Sequence, residues 1–266
     1  MASDYTRKIL WVDLTEEKIT IRDMDREAAR KFIGGAGLAA RILWDETGAD
    51  TQPLSEENPL IFMIGPLSGT AVPSSSRYTV AAISPLTNIW GEAHAGGSWA
   101  YALARTPFMG IVIKGKARKP VYLWINNDEV EIRDASHLWG RDTWETDDLL
   151  KKETDDGASV STIGQASEKM VRFASVMGDG KASKAAARCG LGAVMGFNML
   201  KAVVVKGTAR PLVQDESGLK ESINQNRGSA TPPDRGRIQQ SPCLCALWPG
   251  LAFSRLSPGP RRSTTS

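Results

Sequence analysis

Trp11-Val12-Asp13-Leu14-Thr15-Glu16-Glu17-Lys18-Ile19-Thr20-Ile21-Arg22-Asp23 reads as a hairpin, two short strands around a polar turn. The chain then repeats it. Trp124-Ile125-Asn126-Asn127-Asp128-Glu129-Val130-Glu131-Ile132-Arg133-Asp134 carries the same Trp, the same turn chemistry and the same closing Arg-Asp. Working outward, each hairpin is followed by a helix-like stretch and an apolar strand ending in Ile-Gly, at Ile64-Gly65 and Ile163-Gly164. A second strand is predicted to open on Arg-aromatic, at Arg77-Tyr78 and Arg172-Phe173, ahead of a Gly-rich segment. Each copy closes on Ile111-Val112-Ile113-Lys114-Gly115 or Val203-Val204-Val205-Lys206-Gly207. The order is kept while the connecting loops shorten. Internal repeats decide a fold before any single element does. Two related copies would set their Gly-rich segments facing each other, around one ligand held from both sides.

The intervening segments give an α+β chain rather than a doubly wound sheet, because no strict βαβ rhythm appears. Apolar residues at helical spacing cover Arg26–Glu46, interrupted by Gly34-Gly35-Ala36-Gly37. Pro59–Gly65, Tyr78–Ile83, Met109–Lys114, Pro120–Ile125, Ser159–Ile163, Val171–Val176 and Val203–Lys206 are expected strands. Asn88–Gly97 and Lys184–Arg188 are expected loops, and Trp99–Ala104 a short helix. Asp142-Thr143-Trp144-Glu145 matches a capping box, opening a helix to about Lys152.

The expected domain spans 1–212, with halves at about 7–117 and 118–210. A tail, 213–266, follows. Residues 226–266 hold six Arg, one Asp, six Pro and six Ser, with no Lys or Glu. That tail carries +5 of charge, so the rest of the chain is −2 although the total is +3. It reads either as a disordered segment or as the product of a change of reading frame. A near-neutral body excludes a nucleic-acid face. No apolar run approaches a membrane span, and no signal-peptide stretch follows Met1. Three cysteines fit a reducing cytoplasm better than a disulfide framework.

Arg188-Cys189-Gly190-Leu191-Gly192-Ala193-Val194-Met195-Gly196 departs from the dinucleotide fingerprint, and no phosphate loop of the G-x-x-x-x-G-K type is present. Its glycines could bring backbone N–H groups to an anion beside Lys181, Lys184 and Arg188. Equally, they could serve close helix–strand packing. The first-half counterpart is Glu92-Ala93-His94-Ala95-Gly96-Gly97-Ser98-Trp99. Arg77 could fork onto a phosphate or carboxylate, or simply stand at a strand start. His137 reads as a loop or packing residue, and Cys189 as a small buried side chain. Cys243-Leu244-Cys245 has no partner pair at metal or cluster spacing.

The chain resembles the N-terminal domain of the aldehyde ferredoxin oxidoreductase family, tungsten or molybdenum bis-pterin enzymes, from about Arg7 to Ala209. The likeness rests on Gly34-Gly35-Ala36-Gly37-Leu38-Ala39, the run Asn58 to Thr70, Arg77-Tyr78, Ser84-Pro85-Leu86-Thr87, Ala95-Gly96-Gly97, the run Val130 to His137, and Arg188-Cys189-Gly190 through Gly196, then Leu200-Lys201-Ala202. The resemblance implies a domain of two similar halves that forms a base for a tungstopterin, with a Mg²⁺ bridging the pterin phosphates. It implies that Arg77 contacts phosphate and that the backbone carbonyls of His94 and Ala185 hold the Mg²⁺. It further implies cofactor contacts from Ala95, Gly96, Gly97, Lys184, Ala187, Arg188 and Gly190. His94 replaces a usual Asn, Lys184 a usual Arg and Ala187 a usual Gly, and Lys181-Ala182-Ser183 is an insertion. The implied activity is aldehyde to carboxylate, with electrons leaving through a [4Fe–4S] cluster to ferredoxin or an electron-transfer subunit. A benzoyl-CoA reductase subunit belongs to the same family. The family's C-x-x-C-x-x-x-C cluster run is missing from this chain, which is expected to be inactive by itself, and either a truncated product or a subunit of a complex or homodimer.

Overall fold

The computed structural model describes residues 7–211 and 213–229. The first half runs β1 (Lys8–Asp13), β2 (Lys18–Asp23), α1 (Arg26–Phe32), α2 (Gly35–Glu46), β3 (Leu60–Ile64), β4 (Tyr78–Ile83), β5 (Trp90–Ala95), α3 (Ser98–Ala104) and β6 (Phe108–Lys114). The second runs β7 (Val121–Asn126), β8 (Glu129–Asp134), α4 (Thr143–Glu153), β9 (Ser159–Thr162), α5 (Gln165–Glu168), β10 (Val176–Gly178), β11 (Lys184–Ala186), α6 (Leu191–Phe197) and β12 (Leu200–Lys206). A further helix, α7 (Glu216–Ser229), belongs to a separate compact unit that begins at Ser217. Helix α7 thus forms within the expected tail, 213–266, and the rest of that tail, from residue 230 on with Cys243 and Cys245, lies outside the described residues.

The repeat is a repeat of topology. One six-stranded sheet has the order β2-β1-β6-β3-β4-β5, and the other β8-β7-β12-β9-β10-β11. In each, the opening hairpin is antiparallel, its first strand lies parallel to the closing strand, and every other pairing is antiparallel. Even a side-chain device recurs. Arg22 sits 4.1 Å over the Trp11 ring, and Arg133 sits 5.8 Å from the Trp124 ring, a cation–π contact across each hairpin.

The closing strands are continuous apolar runs because both faces are covered. On β12, Val203 and Val205 belong to the main core, while Ala202 and Val204 face a second cluster with Tyr122, Trp124, Leu138, Leu150 and Val160. Alternate side chains on a strand point to opposite faces, so α4 covers one face of this sheet. Helix α2 covers the matching face of the other sheet with Leu38, Ala39, Ile42 and Leu43. Helices α3 and α6 each pack on strands of both sheets and fill the layer between them. Burial of a large apolar side chain there contributes about 1.5–3 kcal/mol, and Trp99, Leu103, Leu191 and Met195 are all fully buried.

The helix start predicted at Asp142 follows its capping chemistry, and Asp25, which the sequence reading did not single out, caps α1 in the same way. Asp25 accepts from the Glu27 and Ala28 amides, and Asp142 from those of Trp144 and Glu145, satisfying otherwise orphaned N–H groups. Two predicted loops are strands instead. Within 88–97, Trp90–Ala95 forms β5, and within 184–188, Lys184–Ala186 forms β11. Both are small-residue edge strands. Backbone pairing with β4 and β10 makes them, against low intrinsic propensity. The Arg-aromatic match of the second half also shifts. Arg172 and Phe173 lie in a turn, Phe173 is 73% exposed, and the strand begins only at Val176.

Candidate functional site

Strands β5 and β11 are the last strands of their sheets, and they pack against each other. Each therefore keeps one edge of its backbone outside any ladder. This seam gathers the residues singled out in the sequence. Tyr78 pairs with Ala95, so Arg77 stands beside Gly96 at the mouth of the β4–β5 ladder. His94 projects from β5, half exposed, with Nδ1 3.0 Å from Thr79 Oγ1 and Nε2 3.4 Å from Glu92 Oε1. Across the seam, Lys184 and Ala185 lie on β11, paired with Gly178 and Met177. Ala187 and Arg188 follow, exposed, and Cys189 ties the loop back. Its carbonyl accepts from Ser84 Oγ at 2.7 Å, and its thiol lies 3.6 Å from the Glu92 carbonyl.

The glycines separate into two kinds. Gly97 has φ +100°, and a Cβ there would fall 1.7 Å from Asp179 Oδ2. Gly190 has φ +69°, and its Cβ would fall 1.8 Å from the Arg172 carbonyl oxygen. Both are packing glycines that open α3 and α6. Gly192 and Gly196 likewise let α6 lie against Ser167 and Ser175. For these the close-packing reading holds. Gly96 differs, because a Cβ there would meet nothing within 4 Å. Its absent side chain leaves open space in front of the seam rather than room for a neighbour.

The electrostatics are one-sided. Among the described residues, Arg77, Lys184 and Arg188 have no carboxylate within salt-bridge distance, and all three are exposed. Of the nearby acids, Glu92 meets His94, and Asp179 is engaged by Ser98. Unpaired guanidinium and ammonium groups beside open backbone suit a phosphate-bearing ligand.

Beneath the seam lie contacts that sequence reading passed over. The Tyr78 hydroxyl is 3.2 Å from Ser161 Oγ of the other half, and burial pushes the phenol up to about 12. Ser98 donates its amide and hydroxyl to Asp179, at 2.8 and 2.6 Å. No local spacing links positions so far apart in the chain, and no periodicity could have found them. His137, expected in a loop or in packing, lies exposed in a 3-10 turn, with Nε2 2.6 Å from Glu153 Oε1. No group of three or more His, Cys, Asp or Glu able to hold a metal ion occurs among the described residues.

Residues 9–207 match the family described as aldehyde ferredoxin oxidoreductase, N-terminal domain. The tungsten-containing aldehyde ferredoxin oxidoreductase of Pyrococcus furiosus is 39% identical over 225 residues, which is 83% of this chain and 37% of that protein. Its counterpart from Thermococcus kodakarensis is 40% identical over the same shares. The WOR-like subunit of an aliphatic sulfonate oxidoreductase from P. furiosus is 37% identical over 238 residues. Among solved structures, the active-site complex BamBC of benzoyl-coenzyme A reductase, with 1,5-dienoyl-CoA, matches with a TM-score of 0.79 and 38% identity. The match covers 86% of this chain and 36% of that one. The chain thus spans little more than a third of the relatives it matches.

Proposed function

Since the chain belongs to the aldehyde ferredoxin oxidoreductase family, we propose that it is the floor on which a tungstopterin sits in an enzyme of that family. The observation that carries this reading is the seam itself, where two matched sheet edges meet beside three unpaired cations and the open space at Gly96. That donor set fits a bis-pterin with two phosphate tails. Arg77 and Arg188 would fork onto phosphate oxygens, while Lys184 supplies a point charge. The backbone carbonyls of His94 and Ala185, on facing strands, would hold a Mg²⁺ between the phosphates, with oxygen ligands such as that ion prefers. Ala95, Gly96, Gly97 and Ala187 complete the surface by offering backbone rather than side chain, and Gly190 fixes the turn behind it.

When bound, the group supplies metal-centred redox chemistry, for which the substrate class is an aldehyde. Aldehyde plus water gives a carboxylic acid, two protons and two electrons. This chain's residues bind and orient, and they shield one side from water. The proton-handling groups, a [4Fe–4S] cluster and a ferredoxin or electron-transfer partner would be supplied from outside this chain. Among the described residues no helix is long and apolar enough to cross a membrane, and an unpaired Cys189 fits a cytoplasmic setting.

The test is direct. The chain is produced in cells supplied with tungstate, and tungsten and pterin are measured per chain. Both should be present, and Arg77→Ala with Arg188→Ala should lose them. A wild-type chain free of tungsten and pterin would defeat the reading. The solved benzoyl-coenzyme A reductase relative favours a second reading, in which the chain is a subunit acting on a CoA thioester. Saturable binding of a dienoyl-CoA would support it, and lack of binding would remove it.

A further inference from the structure

A carboxylate of one ligand-holding loop reaches into the other, and we propose that Asp179 is a positioning residue that makes the two act as a unit. This deepens the reading above and rests on it. Asp179 belongs to the second half and precedes β11 by the 3-10 turn Gly180–Ala182. Its side chain does not serve its own half. Oδ2 accepts the Ser98 amide at 2.8 Å and Oδ1 the Ser98 hydroxyl at 2.6 Å. Ser98 is the first residue of α3, directly after Gly96 and Gly97. Because Gly97 has no side chain, it leaves that helix start without a cap of its own, and the carboxylate from the other half takes that place.

The contact is close enough to fix both partners. A Cβ on Gly97 would lie 1.7 Å from Asp179 Oδ2 and 2.9 Å from Lys184 Cγ. The Ser98 hydroxyl also lies 2.8 Å from Ser159 Oγ on β9. Asp179 itself holds a left-handed backbone, φ +59°, which Asp and Asn tolerate better than other residues with a Cβ. The second helix start has no counterpart. Gly190 offers no side-chain cap either, and the Gly192 amide is met by the backbone carbonyl of Ala174 in its own half. The cap therefore runs one way across the seam, beside the Ser84–Cys189 contact. Displacing it frees residues 94–98 and 180–188 together.

The experiment compares Asp179→Ala, Asp179→Asn and Asp25→Ala in the full chain. Amide hydrogen exchange is read without ligand, and tungsten and pterin content after growth with tungstate. Asp179→Ala should raise exchange about fivefold in both 96–100 and 184–188, the factor a lost cap implies, and lower ligand content by a similar factor. Asp179→Asn should recover most of both, since its carbonyl can accept the Ser98 amide and its NH₂ can donate to the hydroxyl. Asp25→Ala removes an equivalent cap from α1, which packs on α2 rather than on the ligand loops. It should lower thermal stability comparably while leaving ligand content unchanged. Faster exchange confined to 96–100, or equal ligand loss in Asp25→Ala, would overturn the proposal. A wild-type chain without pterin would defeat the functional reading instead, and the exchange data would still decide the cap.

Discussion

The indole N–H of Trp99, in the first half, donates to the carbonyl of Val203, in the second, at 2.9 Å. Both residues are fully buried, and Trp99 also packs on Tyr78 and Phe62 with ring centroids 4.6 and 5.5 Å away. The repeat has therefore produced one core rather than two. Unfolding should be a single transition, with near- and far-ultraviolet circular dichroism superimposed. Trp99→Ala should cost about 3–5 kcal/mol, measured by urea denaturation.

Neighbouring glycines should respond oppositely. Gly96→Ala adds a methyl into open space. The protein should fold with unchanged melting temperature, yet hold less tungsten and pterin. Gly97→Ala adds strain of roughly 1–3 kcal/mol in a backbone region open essentially to glycine alone and drives a methyl into Asp179. It should lower the melting temperature before any ligand is considered.

Lys201 is fully buried on β12, donating to the Arg141 carbonyl at 2.9 Å and to Glu168 at 2.5 Å. Removing either partner alone leaves a buried charge and should cost about 3–5 kcal/mol. The pair Lys201→Met with Glu168→Gln should recover most of that. Burial, first, pulls the lysine below its ordinary value of 10.5, against the opposing pull of Glu168. A depressed folded value gives stability that is present above 10.5 and lost as pH falls through the folded value. Wild-type stability should thus carry an alkaline rise that Lys201→Met lacks.

Tyr78 titrates in the opposite sense. Its phenol is raised from 10.0 to about 12, chiefly by burial. Its contribution is fully present below pH 10 and lost as pH rises through about 12. Absorbance at the phenolate band should show one tyrosine lagging the others, and Tyr78→Phe should abolish the lag.

Iron gives a separate check. Cys189 is the free cysteine of the described residues, and a cluster needs several thiolates. The purified chain should contain no iron and oxidise no aldehyde. Finding about four irons per chain, the content of a [4Fe–4S] cluster, would count against it.

Much of the fold was legible because the repeat is written in strong signals. The Trp-to-Arg hairpins, the Ile-Gly strand ends and the Lys-Gly closing strands are all apolar alternation or turn chemistry, which act locally. The family likeness placed Arg77, His94, Lys184 and Arg188 at one locus, and the folded chain sets all four along the β5–β11 seam. The second-half Arg-aromatic pair misled because a two-residue match carries no pairing partner, and Phe173 turned outward.

The sequence by itself determined the duplicated topology, the central strands and the helix start at Asp142, since each depends on residues within a few positions. The tertiary structure alone decided that Trp90–Ala95 and Lys184–Ala186 are strands, that Gly97 is closed in while Gly96 is open, and that Asp179 caps Ser98. Those outcomes come from backbone pairing and contacts between halves. Small residues such as Gly91, Ala93 and Ala185 have no local preference strong enough to announce them.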